Sequence, residues 1–458
     1  MIYKLRPYQE ECVKSISDYI NSDRHDPVLI VGPVGCGKSL LIAEAARFMG
    51  DKTLILQPSK ELLQQNHDKI TSYGIPATIY SASCGKKELS NMIYATLGSI
   101  KKVVDKLKEM GIRNVLIDEA HAGYSPEDGS EFMTFMNELK PKKVIGFTAT
   151  PCRLKTMSIG QVSYSRLNFI TRMRPVYFKN LIHVIQVEEM IRQGFWTPLK
   201  YEIWDFNGDA LKLNSNGSEY TAESISEAVR KNGLNNLILR RLMVLKDVCR
   251  SILVFMDSVE SCNTAAEWMN AKICAGMAEV VHGGTPKKQR EAIVEGFKSG
   301  KTKVVFNYSA LGTGFDHPGL DCVIVGRPTF SFSSFYQWLG RAVRIKDGKD
   351  SALVVDCCNN SSRFGDIRKL SIENYKGYGW GMFIGDKLIT NIPMGDKVTK
   401  TDLDIKAAKK DRRRGLAQGV TAAPVPGRPD HPLGSTVMTF GKYCGWMFHS
   451  IPVSYFKF

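Results

Sequence analysis

A chain of 458 residues with 43% hydrophobic side chains is long enough for two or three domains, each burying its own core. It has no run approaching the roughly 20 apolar residues of a membrane helix, no apolar leader core in Met1–Arg6, and no C-x-x-C pair among its 11 scattered cysteines. These features argue against a membrane span, a disulfide scaffold and a zinc module, and lead us to expect a cytoplasmic protein with reduced thiols.

The net charge of +16 is localised. Residues 141–200 carry 10 basic side chains against 2 acidic ones, and residues 361–458 carry 16 against 8. The rest of the chain cancels. A charge held for solubility would be spread more evenly, so the two excesses suggest a surface for a polyanion.

In chain order, strand candidates at Pro27–Val31, Thr53–Gln57, Ala77–Tyr80, Asn114–Ile117 and Lys143–Phe147 alternate with amphipathic stretches such as Ser39–Phe48 and Lys60–Tyr73. The alternation returns at Ser251–Met256, Ala278–Val281, Lys303–Asn307, Cys322–Gly326 and Ala352–Val355. This is the pattern of two α/β lobes built on parallel sheets. We expect lobe 1 over residues 1–151, a basic and aromatic accessory segment with the linker over 152–235, lobe 2 over 236–360, and a basic tail with a small terminal module over 361–458. Within the accessory segment, Val187–Gln193 reads as a short helix stopped by Gly194. Residues 152–200 carry a net charge of +6 and hold Tyr164, Phe169, Tyr177, Phe178, Phe195 and Trp196. That composition suits phosphate contact with base stacking, or core aromatics beneath a basic face.

Gly32-Pro33-Val34-Gly35-Cys36-Gly37-Lys38-Ser39 fits the phosphate-loop pattern G-x-x-x-x-G-K-S and lies between a strand and a helix candidate. Gly35 and Gly37 let backbone N–H groups wrap phosphates, Lys38 neutralises them, and the Ser39 hydroxyl suits Mg²⁺. Asp118-Glu119-Ala120-His121 follows the apolar strand Val115–Ile117, where α/β sheets bind ligands. Asp118 is the expected Mg²⁺ carboxylate and Glu119 the residue that orients the attacking water, which makes ATP·Mg²⁺ the expected ligand.

Asp-Glu-Ala-His is also the signature of superfamily 2 helicases, and further segments resemble that family's motifs in its order. The resemblance implies two RecA-like lobes. It makes Leu5–Gln9 the adenine-reading element, with Arg6 and Gln9 at the nucleotide. It places Pro58, Ser59, Lys60, Thr96, Ser99, His282 and Thr313 at nucleic acid, and makes His121, Thr148 and Thr150 coupling residues between the two sites. Gly314 and Asp316 fall in a motif at the nucleotide. Gln337, Arg341 and Arg344 match Q-x-x-G-R-x-x-R, whose arginines reach the γ-phosphate from the second lobe, where they can stabilise phosphoryl transfer.

Within the superfamily the chain most resembles RadD-type bacterial repair helicases and phage branch-migration helicases. This rests on Leu5–Gln9, Phe178–Pro198 and Thr313–Pro318 and covers residues 1–358. It lacks the cysteine-rich, zinc-like section of the RadD pattern. The resemblance implies an ATP-driven helicase or translocase on single-stranded, forked or junction DNA, working with replication or recombination proteins and no membrane. Arg172 and Arg174 in the basic segment are candidate DNA contacts. RNA unwinding, double-strand translocation without unwinding, and an ATP-gated junction clamp use the same motifs. Lys406–Arg414 is a candidate electrostatic tether. Phe440-Gly441-Lys442-Tyr443 with Gly445 resembles a small module appended to nucleic-acid enzymes, and a plain hydrophobic plug fits it equally.

Overall fold

The computed structural model describes residues 4–50, 52–159, 162–312 and 315–407. Thr313, Gly314, most of the Lys406–Arg414 run and the terminal module lie outside the described residues.

The first lobe comprises α1 (Pro7–Asn21), β1 (Val28–Val31), α2 (Lys38–Met49), β2 (Thr53–Leu56), α3 (Lys60–Ser72), β3 (Thr78–Ser81), β4 (Lys86–Lys87) and β5 (Met92–Ala95). It continues through α4 (Leu97–Ile100), α5 (Val104–Glu109), β6 (Asn114–Ile117), α6 (Glu131–Leu139) and β7 (Lys143–Thr148). An antiparallel ribbon follows, β8 (Cys152–Ile159) with β9 (Val162–Phe169), then β10 (Asn180–Val184) and α7 (Val187–Arg192).

The second lobe runs through β11 (Leu199–Ile203), α8 (Ala222–Lys231), α9 (Leu234–Val248), β12 (Ile252–Phe255), α10 (Val259–Lys272), β13 (Ala278–His282) and α11 (Lys287–Ser299). It ends with β14 (Val304–Tyr308), β15 (Cys322–Val325), α12 (Phe332–Leu339), β16 (Ala352–Asp356) and α13 (Asn360–Phe364). β17 (Leu370–Tyr375), β18 (Gly379–Ile384) and β19 (Lys387–Leu388) follow.

The chain is α/β with two parallel sheets. The first has strand order β10-β1-β7-β6-β2-β5-β3-β4, and only β4 pairs antiparallel. The second has order β11-β16-β15-β12-β14-β13 and is parallel throughout. Central strands such as Val28-Leu29-Ile30-Val31 and Ile252-Leu253-Val254-Phe255 are buried at every position. Helices on both faces demand such unbroken apolar runs, and this is why those strands were readable from sequence.

Three features of the basic segment were not readable. β10 joins the edge of the first sheet beside β1, while β11 joins the edge of the second beside β16. Cys152–Phe169 forms the ribbon, pinned where the Asn391 amide donates to the Leu167 carbonyl at 2.6 Å and Met394 donates to Ser165 at 2.8 Å. Of the two readings of the segment's aromatics, core packing accounts for three of the six. Phe169, Phe178 and Trp196 are core residues, and Tyr177 packs edge-on between Phe132 and Phe178 at 5.0 and 5.1 Å. Gathering rings under a sheet edge buries more apolar area than leaving them in water for a strand to find.

Two of the segment's cations are also consumed internally. Lys143 is buried, and its ammonium donates to the Tyr19, Ser22 and Arg24 carbonyls at 2.9, 2.7 and 2.6 Å, closing the C-terminal end of α1. Arg153, on the ribbon, donates to the carbonyls of Ala120 and Tyr124 behind the acidic motif. Lys142, Lys155, Arg172, Arg174, Lys179, Arg192 and Lys200 remain exposed.

One hydrophobic core runs from the first lobe into the facing side of the second sheet and takes in Leu370, Ile372 and Met382. A separate core fills the far side of the second lobe between α8, α9, α10 and the sheet. Among the described residues, Tyr375–Gly379 and Val398–Ala407 belong to a second compact unit; in it the Tyr375 hydroxyl donates to the Asp404 carboxylate at 3.0 Å. Among the described residues no helix is long and apolar enough to cross a membrane.

Candidate nucleotide and nucleic-acid sites

The loop between β1 and α2 turns through Gly35 and Gly37, at φ values of 82° and 84° that L side chains rarely adopt. A Cβ on Gly37 would also stand 2.6 Å from the Gln9 amide nitrogen. The fold thus leaves a bare backbone cradle at the N-terminus of a 12-residue helix, the arrangement that accepts phosphate. Gln9 donates to the Cys36 carbonyl at 2.9 Å, and Tyr8 donates to the same oxygen at 3.2 Å. Arg6 donates through its guanidinium to the Tyr8 hydroxyl at 3.0 Å. The adenine-reading element is therefore fastened to the phosphate loop.

β6 delivers Asp118 and Glu119 to the same end of the sheet. Glu119 sits at φ 45°, a left-handed conformation that costs a residue other than glycine on the order of 1 kcal/mol and recurs at functional sites. Its Oε1 lies 3.8 Å from Lys38 Nζ and its Oε2 3.3 Å from His121 Nδ1. Burial alone would raise the Glu119 carboxyl, but Lys38, His121 and Arg341 outweigh it and hold it below the usual carboxylate range. Asp118 goes the other way, raised by burial and by the neighbouring Glu119 charge.

Asn66 on α3 ties the metal-ligand candidates together, and sequence reading missed it. Ser39 Oγ donates to Asn66 Oδ1 at 2.6 Å. Asn66 Nδ2 donates to Asp118 Oδ2 at 2.9 Å and to Gln57 Oε1 at 3.1 Å. A lone asparagine inside an amphipathic helix gives no warning of such a role. Among the described residues no cluster of three or more His, Cys, Asp or Glu stands ready for a metal. One hydroxyl and one carboxylate beside a phosphate cradle nevertheless fit Mg²⁺, which keeps waters and phosphate oxygens in its shell.

The second lobe closes the site. Arg341 donates to the Phe315 and Gly312 carbonyls at 2.6 and 2.7 Å, and it faces Lys38 and Glu119 closely enough for their charges to act on it. Burial lowers it to about 10, offset in part by Glu119. Arg344, lowered to about 10 by burial, pairs with Asp316. Gln337 is half-buried on α12. Gly340 lets the end of α12 meet the phosphate loop: a Cβ there would fall 2.5 Å from Val34.

The residues expected to couple the two sites gather in lobe 1 and meet one side chain of lobe 2. His121 Nδ1 contacts Thr148 Oγ1 at 2.8 Å, and the Ser333 hydroxyl of lobe 2 lies 3.1 Å from both His121 Nε2 and Thr150 Oγ1. Ser333 was not expected. It is one of a serine pair at the start of a largely apolar helix, and only the lobe arrangement brings it to His121 and Thr150.

The expected nucleic-acid residues are less concentrated. Pro58 and Lys60 are exposed at the start of α3, with Ser59 capping that helix at the Leu62 amide. Thr96 and Ser99 share a hydrogen bond at 3.2 Å, and Ser99 also accepts from the Ala82 amide. His282 ends β13 at the far edge of the second sheet, where its Nδ1 accepts from Gly284 at 3.1 Å. Arg172 and Arg174 are exposed beyond the ribbon.

Comparison with known proteins agrees with this two-lobed arrangement. Residues 2–153 match the family described as the type III restriction enzyme res subunit, and residues 234–346 match the helicase conserved C-terminal domain. Together these matches indicate a superfamily 2 helicase. A 51.5 kDa protein of a Lactococcus phage is 24% identical over 72% of this chain and 65% of its own length. The putative ATP-dependent helicase IRC3 of Saccharomyces cerevisiae is 24% identical over 60% of this chain and 38% of its own.

The chain thus spans under two thirds of these relatives. DNA and RNA helicases both occur among its matches. The DNA-bound type ISP restriction-modification enzyme LlaBIII superposes with a TM-score of 0.56 at 16% identity, over 77% of this chain and 27% of that one. The likeness shows a shared RecA-like fold. The family implies use of ATP, generally with Mg²⁺.

Proposed function

We propose that this protein is an ATP-dependent DNA helicase or translocase that acts on forked or junction DNA. The observation that carries the reading is the meeting of Lys38 and Glu119 from lobe 1 with Arg341 from lobe 2 in one half-buried electrostatic site.

Ser39 and Asp118 would hold Mg²⁺, which supplies charge neutralisation on the phosphate oxygens. Lys38 binds the phosphates of ATP from the opposite side. Glu119, kept ionised at neutral pH, accepts hydrogen bonds from the attacking water and orients it. His121 fixes the Glu119 carboxylate and passes its position to Thr148, Thr150 and Ser333. Arg341 and Arg344 stabilise charge on the transferring phosphoryl group from across the cleft. When the γ-phosphate leaves, the ligand that both lobes grip is gone and the cleft loosens. A nucleic acid lying over Pro58–Lys60, Thr96, Ser99, Thr313 and His282 would be gripped alternately by the lobes, mostly through phosphates.

DNA is favoured by the resemblance to repair and branch-migration helicases and by the basic segment beside the cleft. The test is ATP hydrolysis with single-stranded DNA, duplex, fork, four-way junction and matched RNA, with Glu119→Gln as control. The reading expects the largest stimulation from fork or junction DNA. Equal or greater stimulation by RNA overturns the DNA assignment, and stimulation by linear duplex without strand separation supports a double-strand translocase instead.

A further inference from the structure

Three consecutive residues that have been given no role at the nucleotide site touch each of the three nucleotide-handling elements. They leave α7 through a turn at Gly194 and enter β11 through Pro198. The Phe195 ring lies under the Arg6 guanidinium, 4.7 Å from centroid to the guanidinium carbon, and meets Tyr8 edge-on at 5.4 Å. Trp196 is buried, and its indole Nε1 donates to the Val34 carbonyl in the phosphate loop at 2.8 Å. Thr197, also buried, donates through its amide to the Val343 carbonyl at 2.8 Å and through its hydroxyl to the Arg344 carbonyl at 2.7 Å.

The arginine segment is held as well by Lys349, whose ammonium donates to the Ala342 carbonyl at 2.7 Å and shares the Arg344 carbonyl with Thr197 at 2.8 Å. Its backbone position is therefore set by Thr197 and Lys349 together. Of these two, only Thr197 is joined through its chain neighbours to the phosphate loop and the adenine-reading element.

We propose that Phe195-Trp196-Thr197 is a positioning strap: it reads phosphate-loop geometry through Trp196 and sets the arginine segment through Thr197. This rests on the nucleotide-site reading above. A shift of the Val34 carbonyl when the loop wraps phosphates pulls on the indole N–H, and the adjacent Thr197 moves the backbone that carries Arg341 and Arg344. The strap joins the lobes covalently and does not itself touch the reacting atoms, so Trp196 and Thr197 act through the arginines.

The test is DNA-stimulated ATP hydrolysis by the full chain bearing Trp196→Phe, which keeps an aromatic ring and loses the donor. The expected result is a kcat roughly tenfold lower, with KM and equilibrium affinity for a fluorescent ATP analogue within about twofold of wild type. On an Arg341→Ala background the same change should cost several-fold less, because the strap acts through Arg341 together with Arg344. Thr197→Val should reproduce the kcat loss, and Thr197→Ser, which restores the hydroxyl, should recover it.

Wild-type kcat in Trp196→Phe, or the same fractional loss with and without Arg341, overturns the strap. So does a loss that follows only the melting temperature, with full activity per folded molecule. If the wild-type protein hydrolyses ATP no faster than Glu119→Gln with every nucleic acid offered, the nucleotide-site reading fails and takes the strap with it. Wild-type turnover alongside an unaffected Trp196→Phe overturns the strap alone.

Discussion

The nucleotide cleft and the basic segment beside it were both conspicuous in the sequence, and they fare differently in the structure. In the cleft, residues up to 303 positions apart in the chain converge: Lys38, Glu119 and Arg341 share one half-buried field. In the basic segment, Lys143 and Arg153 turn inward to satisfy backbone carbonyls, and three of the six aromatics fill the core. A motif specifies residue types at fixed spacing in a fixed local context, so the geometry comes with it. A charge or ring count specifies no direction, and the fold uses such groups wherever burial or an open carbonyl rewards them.

This contrast can be broken at the cleft first, where effects should be largest. Arg341→Ala should lower kcat by roughly 10³-fold, as removal of an arginine supplied across an interface does. Glu119→Gln should cost roughly 10²–10³-fold by removing the group that orients water. Both should leave nucleotide affinity within a few fold, measured by titration of a fluorescent ATP analogue. Loss of binding in place of loss of turnover would show that these residues shape the pocket and do not act on the transferring phosphoryl group.

Asn66 sharpens the comparison, because it belongs to the cleft but to no motif. Asn66→Ala frees Ser39 and Asp118 from a shared clamp. Groups that orient metal ligands typically change metal affinity by about 10–100-fold. The Mg²⁺ concentration needed for half-maximal binding of the ATP analogue should rise by roughly tenfold. An unchanged Mg²⁺ requirement would leave Asn66 as a packing residue.

In the basic segment, exposure separates the charges a polyanion can reach from those turned into the fold. Replacing Arg172, Arg174 and Lys179 together with alanine should flatten the salt dependence of duplex binding by roughly 2.7 in log–log slope if all three meet phosphates. The melting temperature should hardly move. Lys143→Met should behave oppositely: three carbonyls lose their donor, stability falls by about 2–3 kcal/mol in a denaturant titration, and the salt slope stays the same. An equal salt effect from both variants would erase the distinction between inward and outward charge.

The same contrast explains what was legible. The parallel strands announced themselves as short unbroken apolar runs, and the phosphate loop and acidic pair lay at strand ends where chemistry is expected. The ribbon carried a weaker signal, since Cys152–Ile159 mixes apolar and polar positions without strict alternation. β10 and β11 are edge strands of five residues with mixed burial, a pattern that propensity alone does not separate from a loop. Asn66, Ser333 and Trp196 gain their roles from residues distant in sequence, so no local pattern could expose them.

Lys349 provides the smallest and most specific effect. Burial lowers its ammonium from the ordinary 10.5 to about 8, while its N–H groups serve the Pro318, Ala342 and Arg344 carbonyls. Between pH 8 and 10.5 the folded chain has largely lost this proton and the unfolded chain has kept it. The unfolded state then binds more protons, so this group taken alone makes folding more favourable as pH rises through that window. Function should move the other way. A neutral amine has two donors for three carbonyls, and the arginine segment it steadies loosens, so kcat should fall a few fold with an apparent midpoint near pH 8. Lys349→Arg, charged throughout this range, should remove that alkaline limb while keeping activity at pH 7. A limb that persists unchanged in Lys349→Arg would assign the titration to another group and leave the ammonium a purely structural tie.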